Sequence, residues 1–272
     1  MATRDRGSAG PACLFASLPL LVLATVFLFS LHSFQPPPAI TSAGEQVDGQ
    51  HKLTLYVTGA AFILAQLGLG FASFRYRDRG QRARFTHGSR AIEIAVTAAA
   101  VVLFLGLGFL GRKAWAEVQL AASTPDAIQV EVTESQFVFH FRYPGPDGKF
   151  GRIDPARIRP SAGNPLGIDE NDPAGRDDIV VPVLTVPVNR EVELLIRSQD
   201  VIHNFYVREL RLQQDAVPGI ISPLRFTANR TGQYEIVCTQ LCGLGHHRMH
   251  SFLNVVSESE YEVFLKQKAA NQ

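Results

Sequence analysis

The chain has 272 residues, 46% of them hydrophobic and 19% charged, with 26 Lys and Arg against 25 Asp and Glu. Soluble domains carry about a quarter charged residues, so part of this chain is expected to lie in lipid. A net charge of +1 excludes the concentrated basic field of a nucleic-acid binder, and three cysteines exclude a disulfide-built scaffold.

The near balance conceals an asymmetry. Residues 1–111 hold nine Lys and Arg against five acids, and residues 112–272 hold seventeen against twenty. A basic, apolar front and a mildly acidic back predict a membrane anchor carrying a water-exposed domain.

Three stretches are apolar for long enough to cross a bilayer, which takes roughly 20 residues. The first, within Ala12–Leu31, follows Arg4 and Arg6 and reads either as a signal peptide or as a retained helix. Cys13 precedes this run, so it is no lipoprotein acceptor and a free thiol is expected. The second and third, Leu53–Phe74 and Ile94–Gly111, form a hairpin around a short charged loop. That loop, Arg75–Arg90, carries arginines at 75, 77, 79, 82, 84 and 90 against one acid, Asp78. Positive charge stays inside, so the hairpin loop is expected in the cytoplasm and the C-terminal domain outside. The predicted division is 1–35 as signal peptide or extra helix, 36–115 as hairpin and 116–272 as exported domain.

Beyond Trp115 the pattern changes to short alternating runs. Ile128–Tyr143 predicts one or two strands, followed by Ile179–Val188, Glu191–Arg197, Asn204–Leu210, Gly232–Cys238 and Ser251–Val256. Ser257–Lys268 reads as a closing helix capped by Ser257 or Ser259. Several short strands at this spacing predict a β-sandwich. The intervening Pro144–Asp178 holds six Gly, six Pro and seven acids and reads as a structured excursion. Its Asp169-Glu170-Asn171-Asp172 offers oxygen ligands for calcium but fits no twelve-residue loop spacing, which favours a solvated turn.

The chemistry sits in Cys238-Thr-Gln-Leu-Cys242-Gly-Leu-Gly-His246-His-Arg-Met249, with His203 upstream in Asp200-Val-Ile-His. Thiolate, thioether and imidazole together select copper over hard cations. A single blue-copper site uses one cysteine, whereas two thiolates here can bridge two copper ions, each with one terminal imidazole. Met249 is then axial on one ion and a backbone carbonyl completes the other. A Cys238–Cys242 disulfide and a structural zinc site compete with this reading, although zinc has no use for a methionine. His247 and His250 are expected at the surface. No nucleophile–base pair or phosphate loop points to an active site of its own.

These motifs resemble subunit II, the copper-A subunit, of cytochrome c oxidase. The resemblance runs from about Pro36 to Phe264 and includes Ala-Ile-Glu-Ile-Ala-Val-Thr (91–97), the Gln136–Tyr143 strand and Asp-Ala-Val-Pro-Gly (215–219). It implies a membrane-anchored all-β protein: a helical hairpin plus a cupredoxin-like sandwich on the periplasmic face of a bacterial plasma membrane. It also implies electron transfer from cytochrome c to the haem–copper centre of subunit I, within a complex of further oxidase subunits.

Position by position, the resemblance makes His203, Cys238, Cys242, His246 and Met249 side-chain copper ligands and gives Gln240 the carbonyl. Glu93 falls where relatives place a carboxylate at a proton-channel mouth. Two departures stand out. Relatives have Glu at position 240 and bind magnesium there, a role that Gln240 puts in doubt. They also carry tryptophans after Gln136, where this chain has Phe137-Val138-Phe139, its only tryptophan being Trp115. The expected donor-docking surface is therefore Phe137, Phe139 and Tyr206, with Asp200 steering a basic cytochrome. A copper-A subunit of a nitric oxide reductase and a non-enzymatic, membrane-anchored copper carrier are the alternatives.

Overall fold

The structure, a computed structural model, describes residues 9–32, 36–77, 82, 85, 87–119 and 123–270. Two compact units divide it, residues 1–36 with 48–112 and residues 37–47 with 113–272. Part of the arginine-rich 75–90 loop, Arg79 and Arg84 included, lies outside the described residues.

The first unit is helical. α1 spans Ala9–His32, α2 Ser42–Arg75 and α3 Arg90–Gln119. At 1.5 Å per residue, α2 and α3 are long enough to cross a bilayer. Their apolar side chains, among them Phe71, Ile94, Val102 and Phe104, stand exposed. So much apolar surface suits lipid and not water. The Gln50 amide of α2 donates to the Leu107 carbonyl of α3 at 3.1 Å, which pairs a polar group that lipid could not satisfy.

The second unit is a two-sheet sandwich. Among the described residues ten strands form it: β1 Ile128–Ser135, β2 Val138–Tyr143, β3 Ile179–Val181, β4 Leu184–Pro187, β5 Glu191–Ser198, β6 His203–Val207, β7 Leu212–Ala216, β8 Ser222–Thr227, β9 Gly232–Val237 and β10 His250–Val256. One sheet runs β3-β2-β1-β5-β8 and the other β4-β10-β9-β6-β7. β1 pairs β5 and β4 pairs β10 in parallel, while the remaining pairs are antiparallel. Alternation turns Val130, Val132, Phe141, Leu194 and Ile196 of the first sheet toward Phe205, Val207, Ile236, Leu253 and Val255 of the second. α4, Glu258–Ala269, follows Ser257 and opens with a capping box between Ser257 and Glu260.

Three expectations change. Ile179–Val188 is two strands, not one, and they belong to different sheets. Pro182 has no N–H to continue a ladder, and its carbonyl instead accepts from Ser251 Oγ at 2.6 Å. β7 and β8 were not expected; both are sheet edges, and one holds Pro223 while the other reads Leu-Gln-Gln-Asp-Ala. Edge strands tolerate proline and polar residues, which erases their sequence signal. Lastly, Pro37–Val47 belongs to the sandwich unit, where Ile40 exchanges backbone bonds with Glu209 (3.0 Å) and Asn229 (2.8 Å).

The 144–178 excursion is built, not loose. Three 3-10 turns each start at a proline, and Asp154 and Asp172 cap two of them. Gly151 and Gly175 pass so closely that a Cβ on Gly151 would lie 2.1 Å from the Gly175 Cα. The buried Arg142 guanidinium anchors the base, donating to Glu131 at 2.8 Å and to Asp178, with Phe150 over its face. Asp169 pairs with Arg157 at 3.0 Å, and Asp172 accepts from the Arg152 N–H at 2.9 Å. Arginines thus answer Asp169 and Asp172, two of the acids considered for calcium.

One inner-face position breaks the apolar pattern. Glu134 continues Val130 and Val132 on β1, is 0% exposed, and neither of its carboxyl oxygens has a partner. Burial first, then the nearby Asp215 charge, push its pKa well above the ordinary carboxylate value and favour the neutral acid.

Candidate metal centre

Strand alternation delivers three of the donors. His203 extends the face of Phe205 and Val207 on β6, Cys238 extends Ile236 on β9, and Met249 precedes Ser251, Leu253 and Val255 on β10. All three are buried where the apolar core ends. The β9–β10 connection supplies Cys242 and His246. Its base is closed by the Cys238 N–H donating to the Met249 carbonyl at 3.2 Å, and a 3-10 turn at His246–Arg248 leads back into β10. Thr239 is pinned from outside, since its hydroxyl donates to Asn204 Oδ1 at 2.5 Å and the Asn204 amide donates to Asp215 at 2.7 Å.

The donors converge. The ligand atoms of His203, Cys238 and Cys242 all lie within 4.8 Å of one another. Cys242 Sγ is 3.9 Å from Cys238 Sγ, 3.8 Å from Met249 Sδ and 3.6 Å from His246 Nδ1. Cys238 Sγ is 3.1 Å from the Gln240 carbonyl. The two cysteines are free thiols, not a disulfide. Burial, then the neighbouring Cys238, push the Cys242 thiol up to about 11. The Cys242 proton must therefore leave as a cation enters, and a soft cation displaces it most readily.

His203 tests the fit. Its Nε2 bonds Asp200 Oδ1 at 2.7 Å, while its buried Nδ1 has no partner. A carboxylate on one ring nitrogen fixes the tautomer and leaves the other as a lone pair for a metal. Burial alone would raise the Asp200 carboxyl, but bonds from the Gln136 N–H, His203 and the Val201 N–H outweigh it and hold its pKa below the ordinary value. Asp200 is thus the orienter of His203, not the free steering charge expected. The Asp-x-x-His spacing was the available signal. Gln136 and Asn204 gave none.

The expected docking set comes apart. Phe139 is 1% exposed and stacks on Phe141 at 6.3 Å, because the Gln136-Phe137 turn sets β2 in a parity that faces Phe139 inward opposite Glu134. Phe137 is 38% exposed and lies against Gly243 and Gly245 of the metal loop. Tyr206 is half-buried beside Val237. His247 and His250 are exposed, as expected. Glu93 lies in the first turn of α3 in the other unit.

A β-sandwich with two thiols, two imidazoles and a thioether at one end, in a chain with two helices able to cross a bilayer, defines a membrane-anchored protein with a candidate soft-metal site. The family described as "Cytochrome C oxidase subunit II, periplasmic domain" matches residues 176–259. The alternative cytochrome c oxidase subunit 2 of Bradyrhizobium diazoefficiens is 31% identical over 92% of this chain and 90% of that one. The cytochrome c oxidase subunit 2 of Cereibacter sphaeroides is 30% identical over 85% of this chain and 78% of that one. A solved periplasmic domain of subunit II from Bradyrhizobium japonicum aligns with 24% identity and a TM-score of 0.41, over 55% of this chain and 99% of that one. The chain belongs to the cytochrome c oxidase subunit II family, and with it to a haem–copper oxidase.

Proposed function

We propose that this chain holds two copper ions between Cys238 and Cys242 and serves as the point where electrons enter the oxidase. The observation that carries the reading is the convergence of both free thiols with an imidazole whose Nδ1 is buried and unpartnered. Cys238, Cys242, His203 and His246 would hold the ions, with the Met249 thioether and the Gln240 carbonyl as weaker donors. Bound there, the copper pair would accept and release one electron shared over both ions. The chain's own contribution is rigidity: donors fixed at strand ends and by Asp200 cannot rearrange much when charge changes. Magnesium is given no role, since Gln240 offers an exposed neutral amide where a hard cation wants carboxylate.

Family membership is what supports cytochrome c as donor and subunit I as acceptor in this reading. The surface around the centre refines the first of these. Val201, Ile202, Leu241 and the 99% exposed Leu244 join Phe137 in an apolar rim. Docking through such a rim depends on apolar contact more than on charge, so donor-driven reduction should change little across a salt series. The sandwich lies outside the membrane and the arginine-rich hairpin loop inside. The division into 1–35, 36–115 and 116–272 remains part of this reading, with residues 37–47 grouped with the sandwich instead of the hairpin.

Metal analysis and electron paramagnetic resonance on the detergent-solubilised full chain test the reading. Two coppers per chain with a signal delocalised over both are expected. One copper with a localised single-ion signal overturns the pair.

A further inference from the structure

The β1–β2 turn contributes no metal donor, yet it touches both loops that do. The Gln136 backbone N–H donates to Asp200 Oδ2 at 2.7 Å, and Asp200 Oδ1 holds His203 Nε2 at 2.7 Å. The side chain of the same residue donates through Nε2 to the Cys242 carbonyl at 2.6 Å. Phe137, next in sequence, presses its ring onto the metal loop, where a Cβ on Gly245 would lie 2.3 Å from it. A Cβ on Gly243, at φ +136°, would lie 2.8 Å from Gln136 Nε2. The two glycines of Cys-Gly-Leu-Gly are thus the space this turn occupies.

The topology gives these contacts their meaning. His203 and the Cys238–Met249 loop belong to β6, β9 and β10 of one sheet, whereas Gln136 belongs to the other. Within the second sheet the two are tied through backbone pairing of β6 with β9 and through the Thr239–Asn204 bond, both on the Cys238 side of the loop. Gln136 reaches Asp200, which holds His203, and the Cys242 side of the loop from across the sandwich.

We propose that Gln136 is a positioning residue for the metal centre, a clamp that sets the His203 imidazole against the Cys242 thiolate and limits their movement when the charge of the centre changes. The inference rests on the copper reading above but uses contacts that reading does not. Partners that orient metal ligands typically weigh 10- to 100-fold in metal affinity.

The backbone N–H to Asp200 survives any substitution except proline, so changing the side chain isolates the Cys242 contact. Gln136→Met keeps length and bulk and removes the donor. Gln136→Asn keeps an amide that is too short to reach. In the copper-loaded full chain, either variant should retain two coppers, release them to a chelator about tenfold faster, and show a lowered reduction potential with altered copper hyperfine splitting. The potential falls because the lost N–H dipole favoured the less positive, reduced centre. Melting of the metal-free protein should match the parent. Wild-type release, potential and hyperfine splitting in a variant holding two coppers overturn the clamp and leave the copper reading intact. A parent chain that cannot take two coppers overturns the reading itself. Loss of the metal-free fold in both variants makes Gln136 a structural residue only, and the proposal falls.

Discussion

Two connections in the sandwich leave the same kind of scaffold and end in opposite chemical states. The 144–178 excursion brings in charge and satisfies it locally: Arg142 with Glu131 and Asp178, Arg157 with Asp169, and prolines opening capped 3-10 turns. The β9–β10 loop brings in two thiols, an imidazole and a thioether, buries most of that set, and pairs it with nothing of strength comparable to a metal. A connection that satisfies its own polar groups is structure. One that gathers soft donors against one another, beside the unpartnered His203 Nδ1, is a candidate ligand site. Substitution can break that contrast or sharpen it.

The largest effect is expected at the thiols. Cys238→Ser or Cys242→Ser should abolish the delocalised copper signal, because a bridge needs both sulfurs, while the metal-free fold melts as before. A delocalised pair surviving in either variant would end the bridging assignment. On the other connection, Arg142→Leu leaves Glu131 and Asp178 buried without their cation, which typically costs 3–5 kcal/mol. Thermal melting should show that loss, and any copper bound by the folded fraction should keep its native spectrum. A variant that melts normally but loses copper would reverse the contrast.

Glu134 supplies a subtler comparison, an unsatisfied group that gathers no donors around it. Folding raises this carboxyl's pKa, so between the unfolded value, about 4.3, and the folded value the native chain holds a proton that the unfolded chain has released. Stability therefore falls as pH rises through that window. Glu134→Gln should remove the slope and raise stability at pH 7. Denaturant midpoints from pH 4 to pH 8 measure it, and an unchanged slope refutes the role. The smallest effect belongs to Met249→Leu. A weak axial thioether tunes the potential more than it anchors metal, so two coppers should remain with a shifted potential. Loss of copper on dialysis would make Met249 a principal ligand.

Much of this was legible beforehand, and the gaps have physical causes. Central strands such as Glu191–Ser198 announce themselves because both of their faces meet side chains. The edge strands β7 and β8 do not, since half of their surroundings is water. The metal donors were readable because soft ligands at Cys-x-x-x-Cys and His-x-x-Met spacing have few other uses. What surrounds them was not. Asp200 looked like a surface acid because its charge is visible in sequence and its bond to His203 is not. Phe139 looked exposed because its parity depends on a two-residue turn whose length no propensity dictates. Gln136 reads as an ordinary polar residue until the two sheets are brought together.

The parallel pairings have a bearing on time. β4 finds its partner only when β10 exists, in the register Leu184↔Leu253, and β10 is the last strand among the described residues. The segment Cys238–Met249 immediately precedes it, and His203 must wait for β6 to meet β9. Pairings this distant in sequence form late, after local hairpins such as β1–β2. During synthesis the turn at Gln136 emerges before either loop that it will hold, and the cysteines emerge with only β10 of the described strands still to come. The order of emergence makes the donor pocket one of the final surfaces to close, so a cation supplied earlier would meet single thiols instead of a converged set.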